Sequence, residues 1–134
     1  MFLVDTNVVS ELPRKRPNVH VIAWLQRQPA VAISVVTIEE LSYGIARTRS
    51  PRRRKLSRWL DELVGAAAVI LDVTEAVARS AGELRAARED AGRRVAQADM
   101  LIAATALVHG LVLATRNLRD FTSCGVAIVD PFAP

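Results

Sequence analysis

The chain has 134 residues, 51% hydrophobic but only 4% aromatic, with a net charge of +4 from 18 basic and 14 acidic side chains. That length suits one domain with a sizeable aliphatic core and excludes a disordered chain. A lone cysteine, Cys124, excludes an internal disulfide and points to a reducing compartment, while a basic balance carried almost wholly by arginine suits a phosphate-bearing or acidic partner.

Phe2 to Val4 is a short apolar run, read as a buried strand ending at Asp5. Asn7 to Leu12 reads as a short helix stopped by Pro13, and Asn18 to Gln28 as a helix with apolar residues at helical spacing. Val31 to Val36 is β-branched and predicts a second strand. Thr37 is then placed to cap a helix running to about Arg47, with Glu40 in a capping box. Ser50-Pro51 opens a further helix, to about Val64. Ala68 to Val73 is a third strand, and Thr74 to about Ala91 a long helix closed by Gly92. Ala96 to Val108 is an almost wholly apolar helix closed by Gly110, followed by strands at Leu111 to Thr115 and Val126 to Val129. Strands alternating with helices predict an α/β fold with a parallel sheet of about five short strands covered by helices on both faces. The N-terminus lacks the basic start and long apolar run of a signal peptide. Met100 to Ala114 is too short and too interrupted to span a bilayer, which takes ~20 residues. A cytoplasmic location is expected.

Four acids occupy costly places. Asp5 follows the first strand, Glu40 lies about one helical turn after the second, and Asp120 follows the fourth. Asp99 is the only charged residue in the apolar helix, where an unpaired charge is expensive. Each has a structural alternative: Asp5 as a helix cap, Glu40 as the partner of Thr37, Asp99 as an anion at a helix start, and Asp120 as a solvated loop residue. Together they tell more: three follow strand ends and the fourth opens a buried helix, and a parallel sheet can bring all four to the edge where ligands bind, beyond the carboxyl ends of its strands. Clustered carboxylates repel one another unless a cation sits among them, and an all-oxygen set favours Mg²⁺ or Mn²⁺. His20, His109 and Cys124 make no zinc spacing, and the two histidines are read as structural or surface residues.

Leu3-Val4-Asp5-Thr6-Asn7-Val8-Val9-Ser10-Glu11-Leu12 resembles the opening motif of PIN-domain nucleases, and Ile33 to Gly44 resembles their second. Ala98-Asp99-Met100-Leu101-Ile102-Ala103-Ala104-Thr105-Ala106 and Leu113 to Phe121 resemble the third and fourth. In order, spacing and length the whole chain is similar to VapC-type toxins. The resemblance implies a single PIN domain over residues 1–134 and a Mg²⁺-dependent endoribonuclease, Mn²⁺ being an alternative cofactor. It implies catalytic roles for Asp5, Glu40, Asp99 and Asp120, with Asp5, Glu40 and Asp99 as metal ligands and Glu39 a bystander. For the fourth position it leaves both Asn117 and Asp120 open, and Thr6 and Thr115 are candidates for orienting water. It also implies an RNA substrate, a cognate antitoxin, and assembly as a homodimer and a toxin–antitoxin hetero-oligomer.

Arg47, Arg49, Arg52, Arg53, Arg54, Lys55 and Arg58 form a basic run. Arg52, Arg53 and Arg54 fall in the first turn after Ser50-Pro51, where the helix dipole disfavours cations; Arg52 to Lys55 are therefore expected to contact RNA or antitoxin rather than to serve stability. With the four site acids set aside, 18 basic residues face 10 acidic ones, a balance of +8 that would steer RNA. Four rivals compete: a PIN-like nuclease acting on DNA or in RNA processing, a dinucleotide oxidoreductase, a phosphatase and a non-catalytic binding module. No G-x-G-x-x-G follows the first strand, and Asn7 stands where a phosphatase's second aspartate belongs.

Overall fold

A computed structural model describes residues 1–134. In chain order the elements are β1 (Phe2–Val4), α1 (Thr6–Val9), α2 (Val19–Gln26), β2 (Val31–Ser34), α3 (Val35–Arg47), α4 (Arg52–Ala66), β3 (Val69–Leu71), α5 (Glu75–Asp90), α6 (Gln97–His109), β4 (Val112–Ala114), α7 (Leu118–Phe121) and β5 (Ile128–Val129). The strands form one parallel sheet in the order β3-β2-β1-β4-β5, so β1 lies at its centre.

Successive strand residues point to opposite faces, and the packing follows that alternation. Leu3 and Leu113 join one apolar cluster, with Val77 and Ala81 of α5, Met100 to Ala106 of α6, and Phe121. Val4 and Ala114 join the other, with Val8, Val9, Val21, Trp24 and Leu41. Phe2 meets Trp24 edge to face at 4.9 Å. The expected α/β architecture, a five-stranded parallel sheet flanked by helices, is the one observed.

Three local readings change. The β-branched run from Val31 stops being strand at Ser34, whose hydroxyl accepts the Val36 N–H at 3.0 Å and caps α3. Capping and the burial of Val36 override the strand preference of Val35 and Val36. Thr37 is therefore inside the helix and not its cap. The first short helix starts at Thr6, one residue early, because Asp5 supplies its cap, and it ends at Val9, three residues before the expected end at Leu12. The short helix α7 follows β4 where only loop was expected; four residues carry no readable period.

Side-chain caps and left-handed glycines explain the neighbouring boundaries. Asn18 accepts the N–H groups of His20 and Val21, and Thr74 that of Val77. Gly92 (φ 82) and Gly110 (φ 64) end α5 and α6 in the left-handed conformation.

Candidate active site

The register of the sheet builds the centre of the site. Val4 pairs with Ala114, so the next residues, Asp5 and Thr115, emerge side by side from β1 and β4. The Asp5 N–H continues the ladder to the Ala114 carbonyl at 2.9 Å. Its Oδ1 accepts the Thr6 N–H at 2.7 Å, capping α1. Its Oδ2 accepts from the Thr115 hydroxyl at 2.8 Å and from the Asn7 amide at 3.4 Å. Capping a helix and standing in the acidic cluster are thus compatible for Asp5, whose Oδ1 makes the cap and whose Oδ2 faces Thr115 and Asn7. Asp5 is only 4% exposed. Burial pushes its carboxyl above the usual range, the hydrogen bonds from Thr115 and Thr6 pull it back, and the charge of Glu40 raises it further.

Glu40 enters from α3. Thr37 and Glu40, three residues apart, lie on one helix face, and both meet Thr6. The Thr6 hydroxyl lies 2.7 Å from Glu40 Oε1 and 3.0 Å from Thr37 Oγ1. Having one proton, it donates to the carboxylate and receives from Thr37. Glu39, next in sequence, is exposed and takes no part.

Asp99 lies half-buried in the first turn of α6, a helix that no side chain caps. Its carboxyl is pushed up to about 6, first by burial and then by the charges of Asp5, Glu40 and Asp120. All four acids therefore share one electrostatic neighbourhood.

Asn117 and Asp120, open alternatives in the sequence, are hydrogen-bonded to each other: the Asn117 amide donates to Asp120 Oδ2 at 2.6 Å. The Asn117 N–H also donates to Thr115 Oγ1 at 3.0 Å, tying this turn to Asp5. Asp120 Oδ1 accepts from Arg93 at 2.9 Å. His20 and His109 are exposed and remote from these contacts, as expected for surface residues.

No three His, Cys, Asp or Glu side chains approach closely enough to hold one ion directly. The acids are near enough to repel, but not drawn into a closed cage. An all-oxygen set of this openness fits Mg²⁺, which keeps several of its waters and binds through one or two carboxylates.

No residue of the basic run hydrogen-bonds or ion-pairs with the four acids. Arg52 to Lys55 form the first turn of α4, a helix with no buried residue. Arg52 to Lys55 are all exposed, and the Arg52 guanidinium also donates to the Pro13 carbonyl at 2.6 Å. A groove lined by Thr6, Glu40, Arg14, Arg52 and Trp59 joins this turn to the acids.

Asn7, Thr37 and Arg93 were not singled out as site residues from sequence. Asn7 and Thr37 carried a signal, lying two residues from Asp5 and one helical turn from Glu40. Arg93 carried none, because its partner is 27 residues away.

A family model described as PIN domain matches residues 2–124. The chain belongs to the PIN domain family. It is 34% identical over 139 residues to the VapC ribonuclease Y4jK of Sinorhizobium fredii, in an alignment covering 100% of this chain and 99% of that relative. It is 36% identical over 137 residues to the toxin FitB of Neisseria gonorrhoeae, covering 98% and 99%. The crystal structure of FitAcB from Neisseria gonorrhoeae superposes with a TM-score of 0.90 at 34% identity, over 100% of both chains. Membership of the PIN domain family removes the oxidoreductase and phosphatase readings. No helix is long and apolar enough to cross a membrane.

Proposed function

We propose that this protein is a metal-dependent endoribonuclease, acting in the cytoplasm as the toxin of a toxin–antitoxin pair. The observation that carries the reading is the placement of Asp5, Glu40, Asp99 and Asp120 at one edge of a PIN-domain sheet, with the Asp99 carboxyl raised to about 6 by burial and by its three neighbours. An acidic set under such mutual repulsion favours a cation. The likeness to a VapC ribonuclease and to a toxin supports the same assignment.

Asp5, Glu40 and Asp99 would hold Mg²⁺, or Mn²⁺ in its place, partly through water. When bound, such an ion supplies a water of lowered pKa and neutralises charge on the phosphate. The chain's own residues set the geometry. Thr115 and Asn7 fix the Asp5 carboxylate, and Thr6, backed by Thr37, fixes Glu40. Asn117 and Arg93 hold Asp120 beside Asp99. A carboxylate of the set, Asp99 or Asp120, would position the attacking water or accept its proton. A cognate antitoxin and a second copy of the chain complete the assembly in this reading.

Purified protein incubated with bulk transfer RNA should cut it in Mg²⁺ or Mn²⁺ and stop in EDTA. Cleavage that continues unchanged in excess chelator would falsify the metal-dependent mechanism.

A further inference from the structure

We propose that Arg93 binds an RNA phosphate beside the four acids, and so admits an anionic substrate to an acidic site; this rests on the endoribonuclease reading. Among the basic residues, Arg93 alone hydrogen-bonds one of the four acids. Arg14 pairs with Glu11, Arg116 lies over the Phe132 ring at 4.8 Å, Arg88 is buried against the Arg119 carbonyl, and Arg52 is tied to Pro13. Of the four ion pairs in the structure, only Arg93–Asp120 joins separate parts of the chain; the others link residues three or four apart.

The backbone fixes where Arg93 stands. Gly92 takes φ 82, its N–H donates to the Glu89 carbonyl at 3.0 Å, and the Arg93 N–H donates to the Arg88 carbonyl at 2.9 Å. This paired closure of a helix end sets the direction of the chain leaving α5. The Arg93 side chain is 35% exposed and makes one hydrogen bond to a side chain. A guanidinium carries five N–H donors in a planar fork that matches phosphate, so most of that fork is free. Glu89, Gly92, Arg93 and Arg94 line an open polar hollow alongside. The half-buried pair with Asp120 takes up one N–H and holds the guanidinium in place, and the fork's remaining donors are the feature that calls for a ligand.

The test is steady-state cleavage of bulk transfer RNA in Mg²⁺ over a KCl series, for the parent, Arg93→Gln and Arg93→Lys. A parallel measurement follows the fluorescence anisotropy of a labelled single-stranded RNA bound without metal to the Asp99→Asn protein, with and without Arg93→Gln. Loss of one charged phosphate contact should raise KM about tenfold or more, on top of whatever fall in kcat follows from loosening Asp120. The slope of log affinity against log salt should fall by ~0.7, and lysine should recover part of the loss. Unchanged KM and salt slope would overturn the proposal. A fall in kcat alone would do so as well, by making Arg93 only a holder of Asp120, and so would loss of cooperative melting in Arg93→Gln. A parent that binds RNA without cutting it would refute the nuclease reading instead, and the anisotropy measurement would still decide Arg93.

Discussion

Asp99→Asn should inactivate the protein and stabilise its metal-free form. The Asp99 carboxyl is raised from 3.8 to about 6, with burial the largest cause and Asp5, Glu40 and Asp120 following. That shift disfavours the ionised form in the folded state by about 3 kcal/mol, and partial solvent screening reduces it to about 1–2 kcal/mol. Below about pH 4, Asp99 is protonated in the folded and unfolded chains alike, so it exacts no penalty. As pH rises from about 4 to about 6 the unfolded chain ionises first, and the parent loses stability; above about 6 the loss is complete. Asparagine keeps the size and removes the charge. The variant should therefore melt roughly 3–10 °C above the parent at pH 7.5 in EDTA, and the gap should close as pH falls to about 4. Saturating Mg²⁺ should stabilise the parent by mass action, about 2.7 kcal/mol at a hundredfold excess over Kd, and the variant far less. The assay is a set of thermal melts across pH, with and without Mg²⁺, beside cleavage of bulk transfer RNA. A variant that melts at or below the parent at pH 7.5 in EDTA refutes the electrostatic reasoning, and one that cuts at full rate refutes the role of Asp99.

Thr115→Val keeps the shape of a fully buried side chain but leaves Asp5 Oδ2 with only the long Asn7 contact and strands the Asn117 N–H; denaturant unfolding should show a loss of about 1–3 kcal/mol, with cleavage largely gone. Losing that hydrogen bond also raises the Asp5 carboxyl further, so any residual activity should need a higher pH; a pH–rate profile with an unmoved acid limb would contradict this. Glu40→Gln should abolish cleavage while Glu39→Gln leaves it intact, and equal effects in a side-by-side assay would remove the distinction between them. Replacing Arg53 and Arg54 with Ser should weaken binding of RNA or antitoxin and flatten its salt dependence, without moving the melting temperature by more than a degree or so. Arg52 is left in place because it ties α4 to Pro13; unchanged affinity for both partners across a salt series would return this turn to a solvated surface.

Much of this arrangement was legible in the sequence because its signals are local. The apolar runs before Asp5 and Thr115 mark strand ends, the Ser-Pro pair and Gly92 mark helix ends, and Asp99 stands out against an apolar helix. What escaped was set by choices between neighbours or by long-range pairing. Val31 to Val36 has the composition of a strand throughout, and only the Ser34 hydroxyl turns its end into helix. Thr37 looked like a cap for the same reason, and its contact with Thr6 crosses 31 residues. The sequence alone could not choose between Asn117 and Asp120, whose side chains are hydrogen-bonded to each other in the fold.

The donors around the acids show why the site retains its charge. Asp5 is held by Thr6, Asn7 and Thr115, Glu40 by Thr6, and one oxygen of Asp120 by Asn117. All of these donors are neutral. A lysine or arginine in their place would orient the carboxylates equally well, but would cancel the negative potential that attracts a cation. Hydroxyls and amides fix the geometry and leave the charge uncompensated. The exception is Asp120, which also meets Arg93 where the α5–α6 connection is still exposed. There a positive group serves a different end, since the substrate proposed for this site carries its own negative charge past the acids. The gradient from neutral donors at Asp5 to a cation at Asp120 thus runs from the part of the site suited to hold a metal ion toward the part suited to receive a phosphate.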